Sequence, residues 1–307
     1  MPAYNAGKYI LEAVNSVLQQ SYTCLELVIV NDGSTDDTAY KLESISDSRV
    51  KVFHQKNAGQ CAAANKAYSL SSGSLIKFFD ADDVLSPHFI ASQVATLNGQ
   101  FNAIAFGSWG RFYNDDLNTF KLEKNWITTN DVPFNWLIAS MSKSQVMLQC
   151  GLWLIPRHIL DNAGLWNEEL SLINDFEFMI RVLLCADELR FSDNAILYYR
   201  SGIKGSLSST TSAKAALSAY DSVNLGTQYL LQRCNTSYVR QIVANHFKSL
   251  VYSFYPIHKE LTSLAEKRIA ELGGTSLPYP AGGYTKILST LLGWKTVKLI
   301  KQKLNIL

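Results

Sequence analysis

The regular alternation of helical and strand patterns over the first hundred residues constrains the fold more than any other feature of this sequence. Apolar runs rich in β-forming residues occur at 25–30, 50–53 and 75–79. Apolar residues recur at helical spacing around them, as at 10–18 and 62–70. Strands that alternate with helices in this way predict a mostly parallel sheet covered by helices on both faces. The pattern therefore predicts an α/β fold.

Two of the predicted strands end in carboxylates. The first strand stops at Asn31-Asp32-Gly33, and the third leads directly into Asp80-Ala81-Asp82-Asp83. In open α/β sheets, ligands bind where the strands end at their carboxyl edge. Both acidic groups are therefore expected to face a ligand site. Each also fits an ordinary turn, because aspartate favours turns through its own backbone hydrogen bonds.

The three carboxylates of residues 80–83 repel one another and call for a compensating positive charge. Mg²⁺ and Mn²⁺ take oxygen ligands, usually one or two protein carboxylates completed by water and substrate phosphate. The acidic run beside a diphosphate would form such a site. Asp175 differs, because it lies at a predicted helix start. An acid there usually complements the helix dipole, and a general base is the alternative interpretation.

Composition limits the function classes. The 307 residues are 47% hydrophobic and 18% charged, and the formal net charge of +2 gives no global attraction to nucleic acid. Five widely separated cysteines without a Cys-x-x-Cys pair do not indicate a disulfide framework, so a reducing compartment is expected. The sequence has no signal-peptide pattern and no apolar run near the ~20 residues of a membrane span. We therefore expect a cytoplasmic protein.

Several segments, taken in order, resemble the family 2 glycosyltransferases, the inverting enzymes of the GT-A fold. The order and separations of these segments fit that family over residues 2–210. The matching segments are Pro2-Ala3-Tyr4-Asn5, residues 28–36, Asn57-Ala58-Gly59, Ala62-Ala63 with Asn65, Phe79 to Asp83, Gly164 to Glu168, and Asn174-Asp175 with Arg181. The resemblance implies a GT-A catalytic domain at 1–212, with a nucleotide-sugar half at 1–100 and an acceptor half at 101–212. A helical C-terminal region is expected at 213–307.

The resemblance implies an enzyme that moves a sugar from a nucleotide-diphosphate donor, UDP by default, to a hydroxyl group with inversion. The expected acceptor is a saccharide or lipid-linked saccharide in cell-surface polysaccharide synthesis. By the same resemblance Asp175 is the catalytic base, and Asp82 binds the Mn²⁺ or Mg²⁺ that bridges the donor diphosphate. Asp32 would contact the nucleotide base and Asp80 the ribose or base. The other expected donor contacts are Pro2, Ala3, Asn5, Asn65 and Lys204.

The sequence departs from the family pattern in several places. Ala63-Ala64-Asn65 stands where the family usually has Ala-Arg-Asn, and Asn174-Asp175 replaces the common Glu-Asp. The usual His before Gly-Ser is missing, and Lys204 precedes Gly205 instead. Lys204 is a candidate to neutralise the leaving group and equally a solvated loop lysine. The family normally has a buried apolar strand before Pro-Ala-Tyr-Asn, so we expect the first central strand to be absent.

Two other function classes stay open. A GT-A-like subunit that binds without catalysis fits the missing strand and the missing Arg. A sugar nucleotidyltransferase uses a related sheet but should show a glycine-rich basic N-terminal loop. Lys8 is the only basic residue before Lys41, which counts against that class.

The last segment, 294–307, is a candidate for peripheral contact with an anionic membrane at its inner face. Helical projection from Trp294 places an apolar stripe on one side and lysines on the other. The stripe would also suit packing on the protein, with the lysines as its solvated face. The predicted stripe contains Val297, Ile300, Leu304 and Leu307, and the predicted polar side contains Lys295, Lys298 and Lys301.

Overall fold

The first hundred residues fold as the alternating strands and helices that the sequence predicts. The computed structural model describes residues 1–142, 146–203, 205, 210 and 212–304. The elements of the first hundred residues are β1 (Pro2–Ala3), α1 (Ile10–Leu18), β2 (Leu27–Asp32), α2 (Thr38–Glu43), β3 (Val50–Gln55), α3 (Gln60–Leu70), β4 (Leu75–Ile76), β5 (Val84–Leu85) and α4 (Phe89–Leu97).

The first sheet is parallel and has the order β1-β2-β3. Every residue of β2 is buried, because side chains on its two faces enter different clusters. Ile29 belongs to the main core together with Ile10 of α1. Val28 and Val30 pack with alanines of α3 in a smaller cluster. A strand buried on both faces reads as a continuous apolar run, which is why this segment does not alternate.

The strand expected to be absent is present as a stub, because Pro2–Ala3 pair with Val30 and Asn31 of β2. Within the part of the chain that the structure describes, no strand pairs with the other edge of β1. The prediction of a strand over residues 75–79 is too long. Only β4 forms, and it pairs with a later strand in antiparallel orientation. Phe78 and Phe79 instead bury their rings in the main core.

A second, mixed sheet has the order β4-β8-β6-β9-β5, with β7 paired to β6. The long strands β6 and β9 run parallel to each other, and the other pairings are antiparallel. The elements from here to the end of the second sheet are β6 (Ala103–Tyr113), β7 (Asp116–Leu122), α5 (Pro133–Met141), a 3₁₀ turn (Cys150–Leu152), β8 (Trp153–Pro156), α6 (Arg157–Ala163), α7 (Asn174–Leu183) and β9 (Glu188–Ser201).

The C-terminal region is helical, as predicted. Ser212 caps the first of these helices, because its hydroxyl accepts a hydrogen bond from the Ala215 N–H. Side chains of this region share the main core with α7. The five helices are α8 (Ala213–Arg233), α9 (Ser237–Phe254), α10 (Lys259–Glu271), α11 (Gly283–Leu292) and α12 (Trp294–Lys303).

The prediction for the two sides of α12 is wrong for Lys298. This side chain is buried, and its ammonium group donates to the backbone carbonyls of Tyr252 and Tyr255 at the end of α9. The last carbonyls of a helix lack partners within the helix, so they attract a cation. Val297 is buried as well, whereas Ile300 and Leu304 are 43% and 61% exposed. Leu307 lies outside the described residues.

None of the helices in the described ranges has the combination of length and apolar character that a bilayer crossing requires.

Candidate active site

A cleft of about 1130 Å³ lies where β1 and β2 end. This volume is at the upper end of the range found for binding sites of small molecules. The acidic run forms part of its wall, and the start of α7 and the end of α9 form others. The sequence-predicted residues that line this cleft are Pro2, Ala3, Asn5, Asp32, Asp80, Asp82 and Asp175. Residues from distant parts of the sequence are thus brought together in one cavity.

Within the acidic run, two carboxylates are fixed by hydrogen bonds from the protein. Asp80 accepts from the side-chain amides of Gln60 and Gln149, both at 3.0 Å. Asp83 is buried, and it accepts from the same Gln149 amide at 2.9 Å and from the Arg200 N–H at 2.9 Å. The Asp82 carboxylate receives no hydrogen bond from another residue of the described part of the chain. Asp82 is therefore the acid that remains available to a ligand.

Burial and mutual repulsion raise the pKa values of these acids. Desolvation is the main cause at each position. For Asp82, burial and the neighbouring charge of Asp80 raise the pKa to about 7. The pKa of Asp83 is raised well above its ordinary value by burial and by Asp82 and Asp80. The site is thus short of positive charge.

The Asp82 carboxylate fits a hard divalent cation. Its oxygens are unengaged, and the raised pKa of Asp82 indicates that a cation there would relieve repulsion. Among the residues that the structure describes, no group of three or more His, Cys, Asp or Glu is arranged to hold a metal ion. A shell completed by substrate phosphate and water needs only one or two protein carboxylates. The residues present therefore fit Mg²⁺ or Mn²⁺ bound together with a diphosphate.

Asp175 occupies the first turn of α7 and follows a strained residue. Ile173 has φ of 61°, in the left-handed region that β-branched residues rarely adopt. Helix α8 holds this turn, because the Ser222 hydroxyl donates to the Ile173 carbonyl at 2.5 Å and accepts from the Glu177 N–H at 3.1 Å. Strain at such a position costs about 1–3 kcal/mol and persists only where the surroundings impose it. The C-terminal region thus positions Asp175.

Hydrogen bonds connect Asp175 to the acidic run. Gln60 donates to Asp80, and its side-chain oxygen accepts from the Asn174 amide at 3.1 Å. Asn174 in turn accepts from the Asp175 N–H at 2.9 Å. Burial and the nearby charge of Asp80 raise the pKa of Asp175 well above its ordinary value, opposed by a hydrogen bond from the Cys150 N–H. A carboxyl with a raised pKa in a cleft is suited to proton transfer.

Asp32 has a structural role in addition to its place in the cleft. It is buried, and its carboxylate accepts from Gln55 at 2.8 Å and from the N–H groups of Ala58 and Gly59 at 2.9 and 2.8 Å. These bonds fix the turn that begins α3.

Asn5 has φ of 48° and accepts from the Thr35 N–H at 2.8 Å, so it joins the ends of β1 and β2.

One predicted donor contact, Asn65, does not line the cleft. Asn65 holds the loop before α7, because it accepts from the Trp166 N–H and donates to the Trp166 carbonyl and to Glu168 at 2.8–3.0 Å. Lys204 lies outside the described residues.

The sequence interpretation missed Gln149 and the role of Arg200. One Gln149 amide nitrogen bridges Asp80 and Asp83, and its oxygen accepts from the Gly151 N–H at 2.8 Å. Nothing in the local sequence marks this glutamine. Arg200 donates to the Asp82 carbonyl at 2.7 Å. Its place at the end of the apolar run 195–199 was the available signal.

Comparison with known proteins agrees with this geometry. The family model described as glycosyl transferase family 2 matches residues 1–163, more than half of the chain. This chain belongs to glycosyl transferase family 2. The match includes β1, the acidic run and the strands that position them. Asp175 and α8 lie beyond the matched residues.

Several glycosyltransferases are similar in sequence to this family 2 chain. Glycosyltransferase GlyG of Streptococcus pneumoniae is 28% identical over 216 residues, which is 65% of this chain and 69% of GlyG. The Escherichia coli protein named UDP-Glc:alpha-D-GlcNAc-diphosphoundecaprenol beta-1,3-glucosyltransferase WfgD is 32% identical over 118 residues, 38% of this chain and 47% of WfgD. With other curated relatives the chain shares only about a quarter to a third of their length.

A solved structure shows the same fold. Residues 1–349 of Staphylococcus aureus TarS, in complex with UDP-GlcNAc, superpose with a TM-score of 0.67 at 19% identity. The superposition covers 88% of this chain and 78% of that one. The GT-A fold predicted from the sequence is confirmed, and so is membership of the family.

Proposed function

We propose that this protein is a metal-dependent inverting glycosyltransferase that moves a sugar from a UDP-sugar to a hydroxyl group. One observation carries the proposal. The unengaged Asp82 carboxylate and Asp175 line a single cleft, and hydrogen bonds through Asn174 and Gln60 connect the start of α7 to Asp80 of the acidic run. A single displacement at a sugar requires a cation that stabilises the leaving diphosphate and a base that accepts the proton of the attacking hydroxyl. Asp82 and Asp175 would supply these two functions.

In this mechanism the chain holds and orients the reactants. Asp82 would bind Mn²⁺ or Mg²⁺, which supplies charge stabilisation for the leaving diphosphate. Pro2, Ala3 and Asn5 would line the pocket for the nucleoside, with Asp32 facing the base. Asp175 would accept the proton of the acceptor hydroxyl as its oxygen attacks the anomeric carbon.

The donor and acceptor classes are supported by the named relatives. The TarS structure contains UDP-GlcNAc, and the name of WfgD specifies a UDP-sugar and a diphosphoundecaprenol acceptor. We therefore propose a UDP-sugar donor and a saccharide or lipid-linked saccharide acceptor. The process served would be cell-surface polysaccharide synthesis.

We also propose that the protein works in the cytoplasm, in peripheral contact with the inner face of an anionic membrane. The sequence indicated residues 294–307 for this contact, and the structure supports a larger surface that includes α11. No residue of α11 is buried, and the chain from Leu272 onward contains five lysines and no acid. Lys298 is buried and Lys295 pairs with Glu266, so Lys286, Lys301 and Lys303 are the lysines available to an anionic surface. The large apolar side chains exposed on α11 and α12 are Tyr284, Ile287, Leu288, Leu291, Leu292, Leu299, Ile300 and Leu304.

Co-sedimentation with liposomes tests this contact. We expect the full chain to pellet with vesicles that contain anionic phospholipid and to stay in solution with neutral vesicles, because lysines near an anionic surface contribute about 1 kcal/mol each. Replacement of Leu288 and Leu291 by Ser should reduce the pelleted fraction. A matched control replaces Leu264, an exposed leucine of α10. Equal partitioning with both vesicle types would contradict the proposal.

Thermal unfolding with nucleotides tests the donor site. UDP with Mn²⁺ should raise the melting temperature, and the rise should shrink when EDTA replaces Mn²⁺. Ligand at a hundred times its Kd adds about 2.7 kcal/mol. Metal-dependent binding without any turnover of UDP-sugars would favour the non-catalytic subunit. An equal response to all nucleotides, independent of metal, would contradict the proposed site.

A further inference from the structure

In the described part of the chain, carboxylates outnumber cations on the wall of the cleft. Among the described residues, its lining includes six carboxylates and three side chains of Arg or Lys. A substrate phosphate would be repelled by these acids unless fixed cations lie close to it. The carboxylates are Asp32, Asp80, Asp82, Glu168, Glu169 and Asp175, and the cations are Arg111, Arg200 and Lys214.

Arg200 is not available to a ligand, because the protein already neutralises it. Its side chain is 1% exposed and forms ion pairs with Glu12 at 2.5 Å and Asp115 at 2.9 Å. The Nε atom donates to the Asp82 carbonyl. The rings of Tyr9 and Phe112 cover the guanidinium at 4.6 and 4.5 Å. Arg200 therefore stabilises the backbone of the acidic run and is not free to bind a ligand.

Arg111 is exposed, and among the described residues it has no carboxylate partner. It lies on β6 opposite Tyr199 of β9, and its guanidinium is 5.2 Å from the ring centres of both Trp109 and Tyr199. One nitrogen donates to the Ser201 hydroxyl at 3.0 Å. No carboxylate of the described residues lies within ion-pair distance, and the remaining residues of the chain include no Asp or Glu. Its planar fork has further N–H groups to offer.

Strand β9 connects Arg111 to the acidic run. This strand pairs with β6 at Tyr199 and Arg111, and with β5 at Tyr198 and Val84, the residue that directly follows Asp83. Arg111 therefore lies on the cleft wall one strand away from the acids. Arg111, Asp80 and Asp82 all line the same cleft.

We propose that Arg111 binds a phosphate group of the substrate through a charge-assisted, bidentate contact. The inference rests on the proposed function, since it takes the cleft to be a nucleotide-sugar site. Two substrates could supply this phosphate: the diphosphate of the donor or the diphosphate that links an acceptor sugar to its lipid. Guanidinium groups match phosphate geometry bidentately, and the aromatic rings pre-orient the fork.

Calorimetric titration of the full chain distinguishes the two sources. UDP and uridine are titrated in the presence of Mn²⁺, and farnesyl diphosphate is titrated into UDP-saturated protein. Arg111→Met removes the charge and keeps similar bulk, whereas Arg111→Lys keeps the charge and loses the fork. Loss of one charge-assisted contact should weaken binding roughly 10- to 100-fold.

We expect Arg111→Met to weaken binding of UDP but not uridine if the donor supplies the phosphate. Weaker binding of farnesyl diphosphate alone would assign the acceptor. Arg111→Lys should lie between the parent and Arg111→Met in either case. The control Arg190→Met, which removes an arginine that pairs with Glu188 on β9 and does not line the cleft, should leave all affinities unchanged.

Unchanged affinities for both diphosphates in Arg111→Met would overturn the proposal and leave the proposed function intact. A parent protein that binds neither diphosphate would overturn both. Melting temperatures separate packing from charge. If Arg111 only packs on Trp109 and Tyr199, Arg111→Met should bind both diphosphates as tightly as the parent does. A change in its melting temperature would then report the loss of packing alone.

Discussion

The acidic run and the turn before α7 hold their carboxylates in different ways. Asp80 and Asp83 are fixed by side-chain amides and one backbone N–H from residues before α8, chiefly through Gln149. The turn that carries Asp175 is fixed in addition by a helix of the C-terminal region, through Ser222 of α8. The difference indicates that donor binding and proton transfer can be disturbed separately. The predictions below test that separation.

The largest effect is expected from Asp175→Asn. An amide cannot accept the acceptor's proton, so turnover should fall on the order of 10²–10⁴-fold. Binding of UDP with Mn²⁺ should stay close to that of the parent, because Asp175 acts on the acceptor side. Steady-state kinetics and calorimetry measure the two quantities. An unchanged kcat would return Asp175 to the role of a helix-start acid.

Asp82→Asn should impair donor binding, which Asp175→Asn leaves intact. We expect it to abolish transfer and the Mn²⁺-dependent part of UDP binding, because it removes the one unengaged carboxylate of the run. The stability of the metal-free fold should hardly fall, since one repulsive charge is lost. Calorimetry with Mn²⁺ and with EDTA measures the effect. If the variant binds UDP with the parent's metal dependence, the metal assignment is wrong.

Ser222→Ala should reduce turnover without reducing donor affinity. It leaves the Ile173 carbonyl and the Glu177 N–H without their partner, at a cost of about 1–3 kcal/mol in the free energy of unfolding. The strained turn should relax, and kcat should fall roughly 3- to 30-fold as the Asp175 carboxylate shifts. Ser249→Ala is the matched control, because Ser249 bonds only to its own helix. Equal kcat values for the two variants would show that α8 does not position Asp175.

The smallest effect concerns the pH dependence of stability without metal. The pKa of Asp82 is raised to about 7 in the fold, so between pH 4 and 7 the folded state binds more protons than the unfolded state. Stability should therefore fall as pH rises through this window, by on the order of 1–3 kcal/mol. Asp82→Asn should show a shallower slope. Parallel curves for the parent and the variant would contradict the raised pKa.

The sequence predicted the parts that depend on local pattern and order. The parallel strands of the first sheet, the helices after residue 213 and the gathering of Asp32, Asp82 and Asp175 in one cleft all follow from it. The burial of Lys298 could not be predicted, because helical projection does not reveal which carbonyls of another helix lie nearby. The bridge made by Gln149 depends on contacts with Asp80 and Asp83, which lie 69 and 66 positions before it in the sequence. No local pattern encodes such a contact.

The most direct test of the central claim is the release of UDP from UDP-GlcNAc or UDP-glucose by the full chain, with Mn²⁺ and with EDTA. A glycosyltransferase should release UDP slowly to water in the absence of an acceptor, and EDTA should stop the release. Asp82→Asn should lose the activity together with metal-dependent binding, and Asp175→Asn should lose the activity alone. Release that continues in EDTA, or no release with either sugar nucleotide despite metal-dependent binding of UDP, would contradict the account.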